Sequence, residues 1–368
     1  IIPIKIKDDD KPDIYHIVFD AYAGIHALKI ANNFDNCAFC DNLRKMGFEV
    51  AENAYSNYNH TSASLSSMMN MDYTKGFLTE NDLTNPMFIN DNQHYRFLYV
   101  LKSAVIKSLK SAGYKFITTG EPLFSEFFLN QCMDMIDTVG NSYNPILKNS
   151  LYANFFKTTV LGGLFAASNN NMKVHTQYIK DTLNYAENLT ENSSPFYSFT
   201  HIWAPHAPYC FNEDGSVNKK FADIGDMALD DDDTRNAYAA HLKYLNTLIE
   251  KTMENLTRNI KAKGRKAIVL IHGDHGVFAT HNKVSEYNVL LGVYKHGFGN
   301  EKIFPDNVSL INVFPLIFSY CFKTSVNIKK DKYFYENWHA ADYNEQDITK
   351  EMEAGMKQVK ENENNRAD

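Results

Sequence analysis

The chain is short of several things, and each shortage narrows what it can be. Cysteine is sparse: Cys37, Cys40, Cys132, Cys210 and Cys321 make an odd set of five, which is not a disulfide framework. Cys37 and Cys40 are spaced C-x-x-C, but no second pair completes a zinc site. They fall in a helix-like stretch (34–46), where positions i and i+3 share a face. Core packing is the first reading there; a local disulfide and redox or metal chemistry are the alternatives. Basic charge is also short, with 37 Lys and Arg against 44 Asp and Glu and a formal net charge of −7. No basic stripe offsets this, which excludes a general nucleic-acid binder. No run reaches the roughly 18–20 apolar residues of a membrane span, no signal peptide is visible, and there is no internal repeat. The acidic run Asp230 to Asp233 lacks the spaced oxygen ligands and glycine of a calcium loop; it reads as a solvated turn before a helix. The chain opens without Met, on Ile1-Ile2-Pro3-Ile4. The expectation is a stump left after a removed membrane anchor or leader.

What is present is the material of a substantial core. The 368 residues are 44% hydrophobic, with 25 Phe and 22 Tyr, enough for one large α/β domain or two ordinary ones. The most informative stretch is Ile268 to Gly276. Its apolar start reads as a strand buried on both faces, and it stops abruptly at His272-Gly273-Asp274-His275-Gly276. Adjacent Asp and His at a strand's C-terminal end offer carboxylate oxygen and imidazole nitrogen to a divalent cation, at the edge where open α/β sheets place ligands. A polar turn explains Asp274-His275-Gly276 equally well on local grounds. Ile14 to Phe19 repeats the pattern and ends on Asp20. Between the two, Tyr55 to Asn59 is turn-like, and from Thr61 the spacing of Leu65, Met68 and Met69 fits a helix. Thr61 or Ser62 at that helix start is an ordinary N-cap on one reading. On the other it is a hydroxyl nucleophile, placed where free N–H groups and a partial positive charge suit a phosphate or sulfate group. Phe196 to Ile202 forms a third strand, running into His201-Ile202-Trp203-Ala204-Pro205-His206-Ala207-Pro208. Its two prolines stiffen the loop around His206.

Strands and helices alternate through most of the chain. The fold class is therefore α/β, with a largely parallel central sheet and helices on both faces. Residues 1–12 read as a linker, 13–340 as the main domain and 341–368 as a charged C-terminal helix or tail. The pattern predicts helices from the turn at 21–24 through Lys45, over Tyr99 to Ala112, Val174 to Leu189, Arg235 to Asn259 and Val308 to Phe322. Strands are predicted at Lys115 to Thr118 and Val289 to Tyr294. Residues 72–98 read as irregular, and 121–170 as helices and loops covering the site. His175, inside a predicted helix, reads as a surface or packing residue.

Four ordered pieces now stand together: Ile17-Val18-Phe19-Asp20, Asn59-His60-Thr61-Ser62 with its helix, His201 to Pro208, and Asp274-His275-Gly276. Over roughly Asp13 to Tyr335 the chain resembles the alkaline phosphatase superfamily. Within it, the likeness is to the sulfatase-like hydrolase and transferase branch, which includes sulfatases, lipoteichoic acid synthases and phosphoethanolamine transferases. The resemblance implies an alkaline-phosphatase-like fold and one divalent metal ion; three oxygen donors and one nitrogen suit zinc or manganese first, with magnesium the weaker alternative. It implies that Asp20, Asp274 and His275 are ligands and that Thr61 completes the shell as a nucleophile, through a covalent phospho-threonine. It assigns His206 and His201 to the transferred group or leaving oxygen, with His281 and Asn59 as weaker substrate contacts. It further implies an anionic phosphoester or sulfoester substrate, possibly lipid- or glycan-linked, and a catalytic domain held outside the cytoplasm by an N-terminal membrane anchor.

The departures from the pattern are informative. Sulfatases carry a Cys or Ser within Cys/Ser-x-Pro-x-Arg, whereas Thr61 is followed by Ser62, Ala63, Ser64 and Leu65. They also tend to show adjacent aspartates after the first strand, whereas Asp20 precedes Ala21. No full second set of metal ligands can be assigned. The expectation is a single-metal, Thr-nucleophile transferase or phosphodiester hydrolase. The alternatives are a sulfate-ester hydrolase of the same superfamily and a catalytically silent binding module on the fold.

Overall fold

A computed structural model describes residues 1–90, 92–119, 131–140, 170–220, 229, 231–277, 283–336 and 344–367. The strands of the main sheet are β1 (Asp13–Phe19), β2 (Phe48–Val50), β4 (Lys115–Thr119), β5 (Thr138–Gly140), β6 (Phe196–Ile202), β7 (Ala267–Gly273) and β8 (Leu291–His296). A short strand β3 (Asn53–Tyr55) lies outside it and pairs with β9 (Asn307–Ser309). The sheet runs β2-β8-β7-β1-β6-β4-β5. β7, β1, β6, β4 and β5 are mutually parallel, and β8 runs antiparallel to both β7 and β2. The helices are α1 (Ile25–Asn32), α2 (Cys37–Lys45), α3 (Thr61–Asn70), α4 (Asn92–Leu101), α5 (Ala104–Ser111), α6 (Asn170–Glu187), α7 (Asp232–Lys263), α8 (Lys283–Tyr287), α9 (Val313–Phe322) and α10 (Thr349–Ala367).

Strand alternation assigns each side chain to a face. Tyr15, Ile17, Phe19, Val269 and Ile271 point into one core with Leu28, Leu43, Ile179, Leu245 and Ile249 from α1, α2, α6 and α7. Ile14, Val18, Ile268 and Leu270 point into the other, with Leu65, Met68 and Met69 of α3 and Ile317 of α9. The central strands are buried along their whole length, as expected of parallel strands covered on both faces. Register then places the polar ends. Val18 lies opposite both His201 and His272. Two residues further on, Asp20 and Asp274 return to the Val18 side. Asp20, His201 and Asp274 are thus directed to the face that α3 covers.

Several elements differ from the sequence expectation, each for a local reason. The helix expected through Lys45 is two helices, because Asn33 turns left-handed (φ 46) and ends α1. The helix expected over Tyr99 to Ala112 is broken where Ser103 caps α5, accepting the Ile106 N–H. The predicted helix 308–322 begins as β9 because Val308 pairs with Ala54; only Val313–Phe322 is α-helical. Residues expected to be irregular hold short helices at Thr74–Phe77, Glu80–Leu83 and Pro86–Asn90. The C-terminal segment packs rather than trailing: Ile348, Met352 and Val359 are buried against Tyr55, Val284, Tyr287 and Tyr333. At the other end, Ile2, Ile4 and Ile6 lie against the core, and the Ile2 N–H donates to Ser108 Oγ at 2.8 Å. All five cysteines are free thiols, with Cys40 in the core and Cys37 exposed. The segment 121–170, read as a cover for the site, falls mostly outside the described residues. Among the described residues, no helix is long and apolar enough to cross a membrane.

Candidate active site

Three strand ends and one helix start meet at the C-terminal edge of the sheet. Asp274, just after β7, is fully buried. Its Oδ1 accepts the Ala21 N–H at 2.9 Å and the His275 N–H at 3.0 Å, which fixes the carboxylate and directs Oδ2 into the site. Asp20, just after β1, is 1% exposed. His201 Nε2 lies 3.8 Å from Asp20 Oδ2 and 4.0 Å from Asp274 Oδ2. His275 Nε2 lies 3.5 Å from Asp20 Oδ1 and 3.9 Å from Asp274 Oδ2. Among the described residues, neither Asp20 Oδ1 nor Asp274 Oδ2 has a hydrogen-bond partner, although both atoms are buried. Buried carboxylate oxygens are costly unless paired or coordinating, and these two stand just beyond hydrogen-bond range of the imidazole nitrogens.

That arrangement fits a cation. One ligating atom each from Asp20, His201 and Asp274 lies within 4.8 Å of the others. His275 Nδ1 donates to Gly276 O at 2.8 Å, which sets its tautomer and turns Nε2 toward the carboxylates, as a carbonyl partner does for a metal-ligating histidine. In the metal-free site, burial works against the imidazolium, but Asp274 and Asp20 outweigh it and raise His275 to about 9. Burial likewise opposes ionisation of Asp274, yet the neighbouring His275 and His201 hold its carboxyl below the usual range. The cluster thus borrows a proton to offset two buried negative charges.

α3 is set against this cluster by its first turn. Ser64 Oγ donates to the Asp274 carbonyl at 2.6 Å, so the helix start carrying half-buried Thr61 abuts the strand end that carries Asp274. No side chain caps the helix at His60, and α3 keeps the orphan N–H groups of its first turn. The loop after β6 is tied in as well: the His206 N–H donates to the Asp20 carbonyl at 3.0 Å. Half-buried His206 commits Nδ1 to Ala207 O at 2.6 Å, so any proton it handles passes through Nε2. Its ring meets Trp203 edge-on at 5.3 Å, and Trp203 in turn meets His175 at 6.0 Å. His175 is half-buried, and burial together with the nearby His206 pushes it down to about 4.

The structure therefore brings Asp20, Asp274, His275, Thr61 and His206 to one edge, and places His201 among the carboxylates rather than outside them. Asn59 is 1% exposed. Its amide accepts the Glu336 N–H at 3.0 Å and donates to the Glu336 carbonyl at 3.2 Å, so both its polar atoms are spent on backbone. His281 lies outside the described residues. Two residues escaped the sequence reading. Glu336, on β10 (Phe334–Glu336), and the fully buried Arg96, on α4, meet at the start of α3. An arginine on an apolar helix face was the signal available.

Residues 31–297 match the family model described as Sulfatase. The chain belongs to the sulfatase family. It is thereby an enzyme of the sulfatase-like hydrolase and transferase group. No curated protein matches its sequence. Among solved structures, the C-terminal periplasmic domain of EcEptC from Escherichia coli in complex with Zn is similar over 93% of this chain and 96% of that one, at 12% identity and a TM-score of 0.54. The phosphonate monoester hydrolase of Agrobacterium radiobacter is similar over 89% and 80%, at 11% identity and a TM-score of 0.51. Ps i-CgsB in complex with k-i-k-neocarrahexaose is similar over 86% and 73%, at 14% identity and a TM-score of 0.50. At such identities these likenesses speak to the fold.

Proposed function

We propose that the protein is a metal-dependent phosphoryl or phospho-alcohol transferase, or a phosphodiester hydrolase, that works through a covalent phosphoryl group on Thr61. The observation that carries this reading is the pair of buried oxygens, Asp20 Oδ1 and Asp274 Oδ2, that have no hydrogen-bond partner among the described residues, beside the start of the Thr61 helix, where no side chain makes a cap hydrogen bond. Asp20, Asp274 and His275 would hold the cation, with His201 beside them and Thr61 completing the set. Mixed carboxylate, hydroxyl and imidazole donors suit zinc or manganese better than magnesium. A divalent cation bound there supplies Lewis-acid charge against the non-bridging oxygens of the substrate and lowers the pKa of a neighbouring hydroxyl.

The chain's own groups do the rest. Orphan N–H groups at the first turn of α3 stabilise negative charge on the transferring group. Thr61 Oγ1, its proton lost to solvent beforehand, attacks phosphorus in line as an alkoxide, forming one P–O bond as the ester P–O bond on the opposite side breaks; the same alkoxide is released when the acceptor displaces it. His206 gives a proton from Nε2 to the departing alcohol oxygen. Water or an acceptor hydroxyl then displaces Thr61, returning a proton to the histidine. Hydrolase and transferase share the first half and differ in the acceptor. The substrate class is an anionic phosphoester, with lipid- or glycan-linked esters as the natural candidates for a family domain held outside the cytoplasm by an N-terminal anchor. The solved Escherichia coli neighbour is itself a periplasmic domain, which supports that location for this chain.

Metal analysis of purified protein should give about one divalent ion per chain, and Thr61→Ala should abolish turnover of bis(p-nitrophenyl) phosphate. Full activity in that variant removes the nucleophile from the reading.

A further inference from the structure

α3 starts without the usual device. Its N-cap, His60, is extended (φ −148, ψ 160) and makes no side-chain cap hydrogen bond, so something other than a local cap must set the direction of the Thr61 end. What reaches it is Glu336, from far along the chain. Glu336 Oε2 lies 2.6 Å from His60 Nε2 and 2.6 Å from Arg96 Nη1. His60 is 7% exposed, Glu336 4% and Arg96 0%. The Glu336 backbone also holds Asn59 from both sides, through the two amide hydrogen bonds given above. Phe334, two residues earlier, donates its N–H to Asn57 O at 2.9 Å and stacks on Tyr58 at 5.3 Å. Every residue from Asn57 to His60 is thus held by the strand Phe334–Glu336, and Thr61 comes next.

We propose that Glu336, steadied by Arg96, is a positioning residue for the nucleophile. It fixes the His60 ring and with it the start of the Thr61 helix. The inference rests on the reading of Thr61 as nucleophile. A carboxylate accepts, so His60 Nε2 donates to it. Nδ1, on the other side of the ring, lies 3.5 Å from Ser62 Oγ in the first turn of α3. The carboxylate therefore fixes the orientation of the imidazole packed against that turn. Burial disfavours an ionised Glu336, but Arg96 and His60 overcome this and hold its carboxyl at about 2, so the anchor stays charged. A nucleophile mispositioned by about an ångström loses on the order of 100-fold in rate. A contact that sets its position without touching substrate should therefore act on kcat and leave KM alone.

The test separates positioning from simple support of the fold. Glu336→Leu combined with Arg96→Met replaces the buried pair with apolar side chains of similar volume, an exchange that often leaves stability intact, and it keeps the backbone clamp on Asn59. With zinc-loaded protein and bis(p-nitrophenyl) phosphate, the expected result is a kcat lower by roughly 10- to 100-fold at unchanged KM. ¹⁵N NMR of histidine-labelled protein should show the His60 Nε2–H losing its hydrogen bond to a carboxylate. A folded double variant with kcat within about twofold of the parent overturns the proposal. Should the double variant not fold, His60→Gln serves instead: it keeps a donor for Glu336 and the ion pair but removes the ring that faces the helix. A similar loss of kcat supports the proposal, and an unchanged kcat overturns it. Thr61→Ala is run alongside. If it retains activity, the nucleophile reading fails by itself, whereas the NMR measurement still reports whether Glu336 holds His60.

Discussion

Two buried charged clusters flank the start of α3, and they are built on opposite plans. At the sheet edge, Asp20 and Asp274 bring two carboxylates together, with His201 and His275 as their ion-pair partners among the described residues. On the other side, Glu336 faces a fully buried arginine and a histidine at 2.6 Å. The first cluster is balanced by titratable imidazoles, which a bound cation would replace. The second is balanced by a guanidinium whose charge is fixed. The contrast is between a carboxylate pair whose positive partners can be exchanged and a carboxylate whose positive partner cannot.

The sharpest way to break that comparison is to neutralise one carboxylate in each cluster. Asp274→Asn should remove metal binding and reduce turnover by at least about 1,000-fold, the scale of losing a principal transition-state contact. In the metal-free protein the variant should also lose thermal stability at neutral pH, because, against its burial, His275 and His201 favour the ionised Asp274 carboxylate. Glu336→Gln should leave metal binding intact. It removes the carboxylate charge that faces buried Arg96 and should cost about 3–5 kcal/mol in denaturant unfolding. If Glu336→Gln also removes the metal, the two clusters are not separate.

Acidity sharpens the same contrast. His275 is raised to about 9 in the metal-free site, so below that pH a cation must displace its proton. Metal affinity measured by titration should therefore weaken up to about tenfold per pH unit as pH falls below 9. Glu336 behaves oppositely. Its carboxyl is depressed from 4.5 to about 2, so its contribution is fully present above about 4.5 and is lost as pH falls toward 2. An acid unfolding transition in that window should shift on Glu336→Gln.

A third buried polar set gives the smallest effect. His272 Nδ1 donates to Gly273 O at 2.8 Å, so its Nε2 accepts from His16 Nε2 at 2.7 Å, and His16 Nδ1 accepts from the Tyr197 hydroxyl at 2.8 Å. Burial keeps both imidazoles low, His272 at about 4, so the chain of bonds is neutral and closed. Tyr197→Phe should cost about 1–3 kcal/mol of stability and leave turnover unchanged.

The sequence made the sheet-edge cluster legible because each of its parts is local: an apolar run ends on Asp20, another on Asp274-His275, and the α3 periodicity begins at Thr61. Strand alternation and parallel register then suffice to bring Asp20 and Asp274 to one face. The Glu336 clamp was illegible for the converse reason. Its contacts to His60 and Arg96 span 276 and 240 residues, and no local pattern records which strand end meets which helix start. The family resemblance assigns His201 to the transferred group or leaving oxygen, whereas its register opposite Val18 directs it to the carboxylates. Helix breaks at Asn33 and Ser103 were missed because apolar spacing continues across them, and the left-handed residue or cap that ends each helix is decided by packing.

The central claim is that the sheet-edge carboxylates serve a covalent step at Thr61. The most direct measurement is mass spectrometry of metal-loaded protein quenched during turnover of a phosphodiester. The account predicts a phosphoryl or phospho-alcohol adduct on the peptide containing Thr61, absent in Asp274→Asn. Undiminished turnover with no adduct there, or an adduct on another residue, would contradict it.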